Sequence, residues 1–182
     1  LKQKLFPKHF NKKIFLHAAS PFSWYVFHPL VNLSQDEYIL HINECIKTIE
    51  KMEDCFLALR IRLKSFPNMT IQKIKSLLIK SDCYEIYEKG EFEDFLTCSD
   101  LLISFSSTTI EEALQVNIPV LQYDPFNRYC HIPSIKMTKT KEPKLSSVYY
   151  VSKFDDLSWS LDWIKKNHLI SDNPSLDLKL DW

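Results

Sequence analysis

The chain has 182 residues, with Lys+Arg and Asp+Glu balanced at 23 each and 45% hydrophobic residues. That length and apolar share suit one domain with a sizeable core. Zero net charge argues against a nucleic-acid partner held by phosphate neutralisation. No apolar run approaches the roughly 20 residues of a membrane span, so no transmembrane segment is expected.

Gly90 is the single glycine, which excludes GxGxxG and Walker A phosphate loops. Any phosphate site must therefore use hydroxyls and helix-terminal N–H groups. The five cysteines (Cys45, Cys55, Cys83, Cys98, Cys130) show no CxxC or CxxH spacing. They read as free thiols in a reducing, cytoplasmic compartment, and no metal is expected. The chain starts at Leu1, and its basic first residues lack the apolar run of a signal peptide. A preceding N-terminal part is expected to be missing.

Residues 1–12 are basic and irregular and read as a linker or the end of that missing part. Lys13 to Ala19 is the first strand, followed by a loop rich in aromatics that contains Trp24, Tyr25 and His28. Ser34 and Glu37 have capping-box spacing and open a helix with Ile39, Ile42, Ile46, Ile49 and Met52 on one face. Cys55 to Leu63 is the second strand, and its tail sets Arg60, Arg62 and Lys64 on one side. Thr70 caps a helix carrying Ile71, Ile74, Leu77 and Leu78. Cys83 to Tyr87 is a strand, Gly90 a turn, and Glu91 to Cys98 a short helix with Phe92, Phe95 and Leu96 inward.

Asp100 to Phe105 is the fourth strand, Thr108 to Val116 a helix, and Ile118 to Gln122 the fifth strand. Asp124 to Ser146 shows no periodicity and reads as one long loop. Ser147 to Val151 is a sixth strand, and Phe154 to Lys166 a helix with Leu157, Leu161 and Ile164 inward. Alternating strands and helices predict an α/β, Rossmann-like three-layer domain over 13–170, built on a mostly parallel six-stranded sheet. Residues 171–182 read as a loosely held tail. Ligands of such sheets bind at the carboxyl ends of the strands.

The most informative stretch is Ser99 to Asp124. An apolar strand ends in Ser106-Ser107-Thr108-Thr109, and a helix follows with Glu111 and Glu112 in its first turn. Bare N–H groups, the helix dipole and the hydroxyls together suit a phosphate. A carboxylate beside it could accept hydrogen bonds from ribose hydroxyls. The same residue types also serve as ordinary caps that offset the dipole. Arg60 and Arg62 near the end of the second strand offer a planar fork for a diphosphate, or else form an ion-paired face. His28 is a candidate acid or base, against a packing role. Asp124, Asn127 and Arg128 follow the fifth strand, where they could touch a sugar or base.

These residues resemble the nucleotide-sugar-binding C-terminal domain of GT-B glycosyltransferases, above all bacterial surface-polysaccharide biosynthesis proteins. The resemblance rests on Ser99-Asp100, the 106–109 turn, Glu112-Ala113 and Pro119-Val120. It implies that the turn holds the diphosphate and that Glu112 binds the ribose. It also implies a nucleotide-sugar donor as substrate, no cofactor, and an acceptor (a glycan or lipid-linked chain) bound by the missing N-terminal domain. The location would be cytoplasmic or peripheral at the inner membrane face. Many relatives have Gly where this chain has Ile110, which would crowd a close backbone approach. Two alternatives share the fold: half of a sugar-nucleotide 2-epimerase, with Glu111-Glu112 as its acidic pair, and a degenerate, non-catalytic binding module.

Overall fold

The computed structural model describes residues 1–18, 33–61 and 70–169. The expected α/β, Rossmann-like architecture is present. Its strands are β1 (Lys13–His17), β2 (Cys55–Arg60), β3 (Tyr84–Tyr87), β4 (Leu101–Ser104), β5 (Val120–Tyr123), β6 (Ile135–Lys136) and β7 (Val148–Val151). The helices are α1 (Lys2–Leu5), α2 (Gln35–Ile49), α3 (Ile71–Leu77), α4 (Phe92–Thr97), α5 (Thr109–Gln115) and α6 (Phe154–Asn167). The sheet order is β3-β2-β1-β4-β5-β7-β6, and every strand pairing in it is parallel.

Among the described residues the sheet has seven strands where six were expected. The additional one, β6, lies inside the stretch read as one long loop. Two residues cannot show an alternating pattern; β6 exists because Ile135 and Lys136 find the open edge of β7 at Tyr149 and Tyr150. The N-terminal segment read as a linker contains the helical turn α1, and Phe6 behind it is fully buried against Phe56, Tyr87 and Phe95.

The parallel strands are buried on both faces, as crossover helices require. Odd and even positions of β1 feed two separate cores. Phe15 packs with Ile42, Ile46, Leu57, Leu121, Leu157 and Ile164 on the α2/α6 face. Ile14 and Leu16 pack with Phe56, Phe95, Leu102, Ile110 and Ala113 on the α4/α5 face.

The capping box opening α2 is formed: Glu37 N donates to Ser34 Oγ and Ser34 N donates to Glu37 Oε2. The buried residues of α2 are Tyr38, His41, Ile42, Cys45, Ile46, Thr48 and Ile49; Ile39 is only partly covered, and Met52 lies past the end of the helix, partly covered. The stripe expected from Ile39, Ile42, Ile46, Ile49 and Met52 therefore misses Tyr38, His41, Cys45 and Thr48. Thr70 caps α3 as expected, but Leu77 is 48% exposed, since a helix of two turns presents only Ile74 squarely to the sheet. Gly90 sits at φ +99°, and a Cβ there would stand 2.9 Å from the Phe95 ring. This position needs glycine on both conformational and steric grounds.

At the amino edge of the sheet, Asp100 ties β4 to β1. Its carboxylate accepts from Ile14 N at 2.8 Å and from the ammonium groups of Lys13 and Lys2. Ser99 Oγ donates to the Phe95 carbonyl. The Ser-Asp pair before the strand thus has a structural role far from the ligand edge.

Candidate functional site

The strand order reverses between β1 and β4, so the crevice outside their carboxyl ends is the topological switch point of the sheet. The hydroxyl turn lies there, because β4 ends at Ser104 and α5 begins at Thr109. Ser104 Oγ donates to the Ala18 carbonyl at 2.7 Å, and Thr109 Oγ1 reaches the same oxygen at 3.3 Å. Those two side chains anchor the turn to the end of β1. Ser106 is buried, Ser107 Oγ accepts from Thr109 N, and Thr108 is exposed at the helix start with no side-chain cap bond. Ser106, Ser107 and Thr108 are thus the hydroxyl residues of the turn not tied to β1.

Ile110 is fully buried with Ala113, Leu102 and Val120. Its side chain enters the core and does not stand in the crevice. Glu112 is exposed on the first turn of α5. Its neighbour Glu111 accepts from His131 Nε2 at 3.0 Å, which ties α5 to the segment after β5.

Asp124 directly follows β5 and is completely buried. Its carboxylate accepts from the backbone N–H groups of Phe126, Arg128 and Tyr129 and from the Tyr150 hydroxyl. All of that capacity goes into shaping the loop, so Asp124 presents the loop and has little left for a ligand. Asn127, at φ +51°, is exposed at the tip of the turn. Arg128 forms a forked pair with Glu37 at 3.2 and 3.4 Å and lies over the Phe126 and Phe105 rings. It therefore bridges the start of α2, the end of β4 and the loop after β5, all at the carboxyl edge.

Arg60 is turned the other way. Its guanidinium donates to the carbonyls of Tyr87, Glu88 and Gly90 and lies over Phe95, closing the β3–α4 turn. His28 and Arg62 lie outside the described residues.

Directly beneath the crevice is a group that strand and helix periodicity did not single out. His17, the last residue of β1, faces α2, and its Nε2 lies 3.0 Å from His41 Nδ1. His41 Nε2 donates to the Tyr123 carbonyl at 2.9 Å. Cys45 is one turn further along α2, and the donor atoms of His17, His41 and Cys45 all lie within 4.8 Å of one another. All three residues are fully buried. Burial lowers the His41 pKa to about 4 and pushes the His17 pKa well below the ordinary imidazole value. It pushes the Cys45 thiol upward. The signal was present in the sequence as HINEC, a His and a Cys at i and i+4 on one helix face.

No protein-family model matches the sequence, and no curated protein matches it significantly. Solved structures do resemble the fold. A candidate UDP-N-acetylglucosamine 2-epimerase from Listeria monocytogenes aligns with TM-score 0.55 and 14% identity over 91% of this chain. The S. aureus protein MnaA, solved with UDP, aligns with TM-score 0.56 and 15% identity over 90%. The UDP-GlcNAc 2-epimerase of Neisseria meningitidis, solved with UDP-GlcNAc, aligns with TM-score 0.52 and 16% identity over 91%. This chain spans 38% of the first of those proteins and 39% of each of the other two. Among the described residues, no helix is long and apolar enough to cross a membrane.

Proposed function

We propose that this chain is the nucleotide-sugar donor-binding domain of a glycosyltransferase of surface-polysaccharide biosynthesis. The carrying observation is the position of the 106–109 hydroxyl turn at the switch point between β1 and β4. In this reading Ser106, Ser107 and Thr108 with the adjoining backbone N–H groups receive the diphosphate. Glu112 accepts from the ribose hydroxyls, and Arg128 contributes positive charge across the crevice. A separate domain binds the acceptor. Transfer proceeds by electrostatic stabilisation of the departing diphosphate, which needs preorganised donors and no covalent intermediate. The chemistry would take place on the cytoplasmic side of the membrane.

Calorimetric titration of the chain with UDP, CMP and GDP tests this. Micromolar binding of one nucleotide, weakened at least about tenfold in Glu112→Ala and in Thr108→Ala, is the expected result; each lost charge-assisted or oriented hydrogen bond accounts for about that factor. A folded sample that binds none of them, followed by a full-length protein that also binds none, would leave the non-catalytic module.

A second reading, half of a sugar-nucleotide 2-epimerase, is favoured by the solved structures named above and by the adjacent Glu111-Glu112 pair. The full-length protein incubated with UDP-GlcNAc separates the two. Inversion at the sugar C2 without an acceptor supports the epimerase; acceptor-dependent release of the nucleotide supports the transferase.

A further inference from the structure

We propose that His17, His41 and Cys45 form a binding site for a thiophilic d10 metal ion of the Zn²⁺/Cu⁺ class, which clamps the end of β1 to α2 beneath the crevice. The proposed nucleotide site uses none of the three residues, and the metal site does not depend on the nucleotide reading.

Two imidazole nitrogens and a thiol, converging within 4.8 Å with no solvent access, are a donor set that selects soft d10 ions. The orientation of the second ring is already fixed: His41 donates its Nε2–H to the Tyr123 carbonyl, which leaves the Nδ1 lone pair pointing at His17. Outer-sphere backbone carbonyls orient metal-binding histidines in this way.

The histidine pair is also poorly explained as packing. His17 Nδ1 is buried and has no hydrogen-bond partner among the described residues. If His17 Nε2 carries the proton, the Nδ1 lone pair is stranded. If Nδ1 carries it, two lone pairs face each other at 3.0 Å. Buried polar atoms left in either condition are costly. A cation bound by both nitrogens removes the lone-pair repulsion of the second arrangement and leaves only Nδ1–H without an acceptor among the described residues.

Tetrahedral coordination with ordinary metal–ligand bonds places two nitrogens about 3.3 Å apart and a nitrogen and a sulfur about 3.6 Å apart. Loading therefore needs the two nitrogens to separate by about 0.3 Å, each ring to turn by roughly 35° so that both lone pairs aim at one point, and the sulfur to approach by at most about 1.2 Å. Loading forms two N–metal bonds and one S–metal bond. The Cys45 thiol proton leaves to solvent, and the His17 proton moves from Nε2 to Nδ1. A monovalent ion with the thiolate leaves no net charge in the core. A divalent ion leaves one positive charge, and the Asp124 carboxylate lies close enough to act on His41.

The test uses the whole chain, stripped of metal under reducing conditions. It is titrated with Co²⁺ (read by thiolate-to-metal charge-transfer absorption), with Zn²⁺ against a chromophoric chelator, and anaerobically with Cu⁺ against a Cu⁺-specific chelator. Expected is one equivalent per chain and a raised melting temperature. The charge-transfer band should vanish in Cys45→Ser, and affinity should fall at least about tenfold in His17→Asn. Both should persist in Cys130→Ser, which removes the exposed thiol. Tighter retention of Zn²⁺ or of Cu⁺ identifies the divalent or monovalent ion. A folded wild type that retains neither overturns the proposal, as does a band that survives Cys45→Ser and disappears in Cys130→Ser. Should Cys45→Ser fail to melt cooperatively, alkylation of wild-type Cys45 in mild denaturant decides: metal-dependent protection supports the site, and an unchanged rate overturns it.

Discussion

Asp124 shows how a residue chosen from its position acquires its role from its surroundings. It follows β5 at the ligand edge, where a carboxylate reads as a sugar contact. Three backbone N–H groups and the Tyr150 hydroxyl instead converge on it. Asp124→Asn keeps the size of the side chain but replaces one acceptor oxygen with a donor facing N–H groups. It should cost about 2–3 kcal/mol, within the range for hydrogen bonds to a charged buried group. Denaturant unfolding with an unchanged m-value would measure this, and a loss below about 0.5 kcal/mol, the usual limit for an unremarkable surface site, would contradict it. Arg60 presents a similar case. Its place near the end of β2 suggested a diphosphate clamp, while its guanidinium is engaged by the carbonyls of the turn at Gly90. No one-dimensional pattern distinguishes these partners, because they come from residues 27 to 30 positions away.

At the scale of elements, α2 places the start of the crevice wall. Its capping box satisfies two backbone donors reciprocally, and Glu37 also pairs with Arg128. Ser34→Ala removes the acceptor for Glu37 N and should cost about 1 kcal/mol of stability. The same substitution should loosen the Glu37–Arg128 pair and increase hydrogen exchange in the first turn of α2. Unchanged exchange there would mean that tertiary packing alone holds this end. The start of α2 was readable from its capping spacing, though the helix ends at Ile49, short of Met52; α6 was readable too, with Leu157, Leu161 and Ile164 buried. The strand β6 was not, because two residues paired to an edge carry no period of their own.

At the scale of the molecule, stability depends on pH through histidines that folding removes from water. Burial lowers the pKa of His168, whose Nδ1 lies 2.9 Å from the Tyr149 hydroxyl. His9, stacked on Phe56 at 3.8 Å, is lowered as well, by burial first, with Lys12 and Lys8 assisting and Glu85 opposing. A histidine whose folded pKa lies below its unfolded value of 6.5 favours the folded state while neutral. That contribution is complete above the unfolded pKa and is lost as pH falls through the folded one. Melting temperature should therefore begin to fall as pH drops below about 7.5, the upper side of an ordinary imidazole's range, and go on falling towards about pH 4, where the more deeply buried His41 protonates in the folded state. His168→Asn should make that fall shallower. An equal slope in the variant would assign the acid sensitivity to other groups.

The sequence by itself determined the α/β class, the order of the elements apart from α1 and β6, the inward faces of α6 and part of α2, and the turn at Gly90. Each of these follows from local periodicity, capping or backbone conformation, which act over a few neighbouring residues. Tertiary structure alone decided the strand order, and with it which strand ends meet at the switch point. It also decided which polar side chains were drawn into loop-building and which were brought together. His17 and His41 are separated by 24 positions and touch only because β1 and α2 pack face to face. Asp124 is held by N–H groups two to five residues on, with Tyr150 as a distant partner. Arg60 and the histidine pair answer to hydrogen-bond partners and burial that distant segments supply, and those exist only once the chain has closed around them.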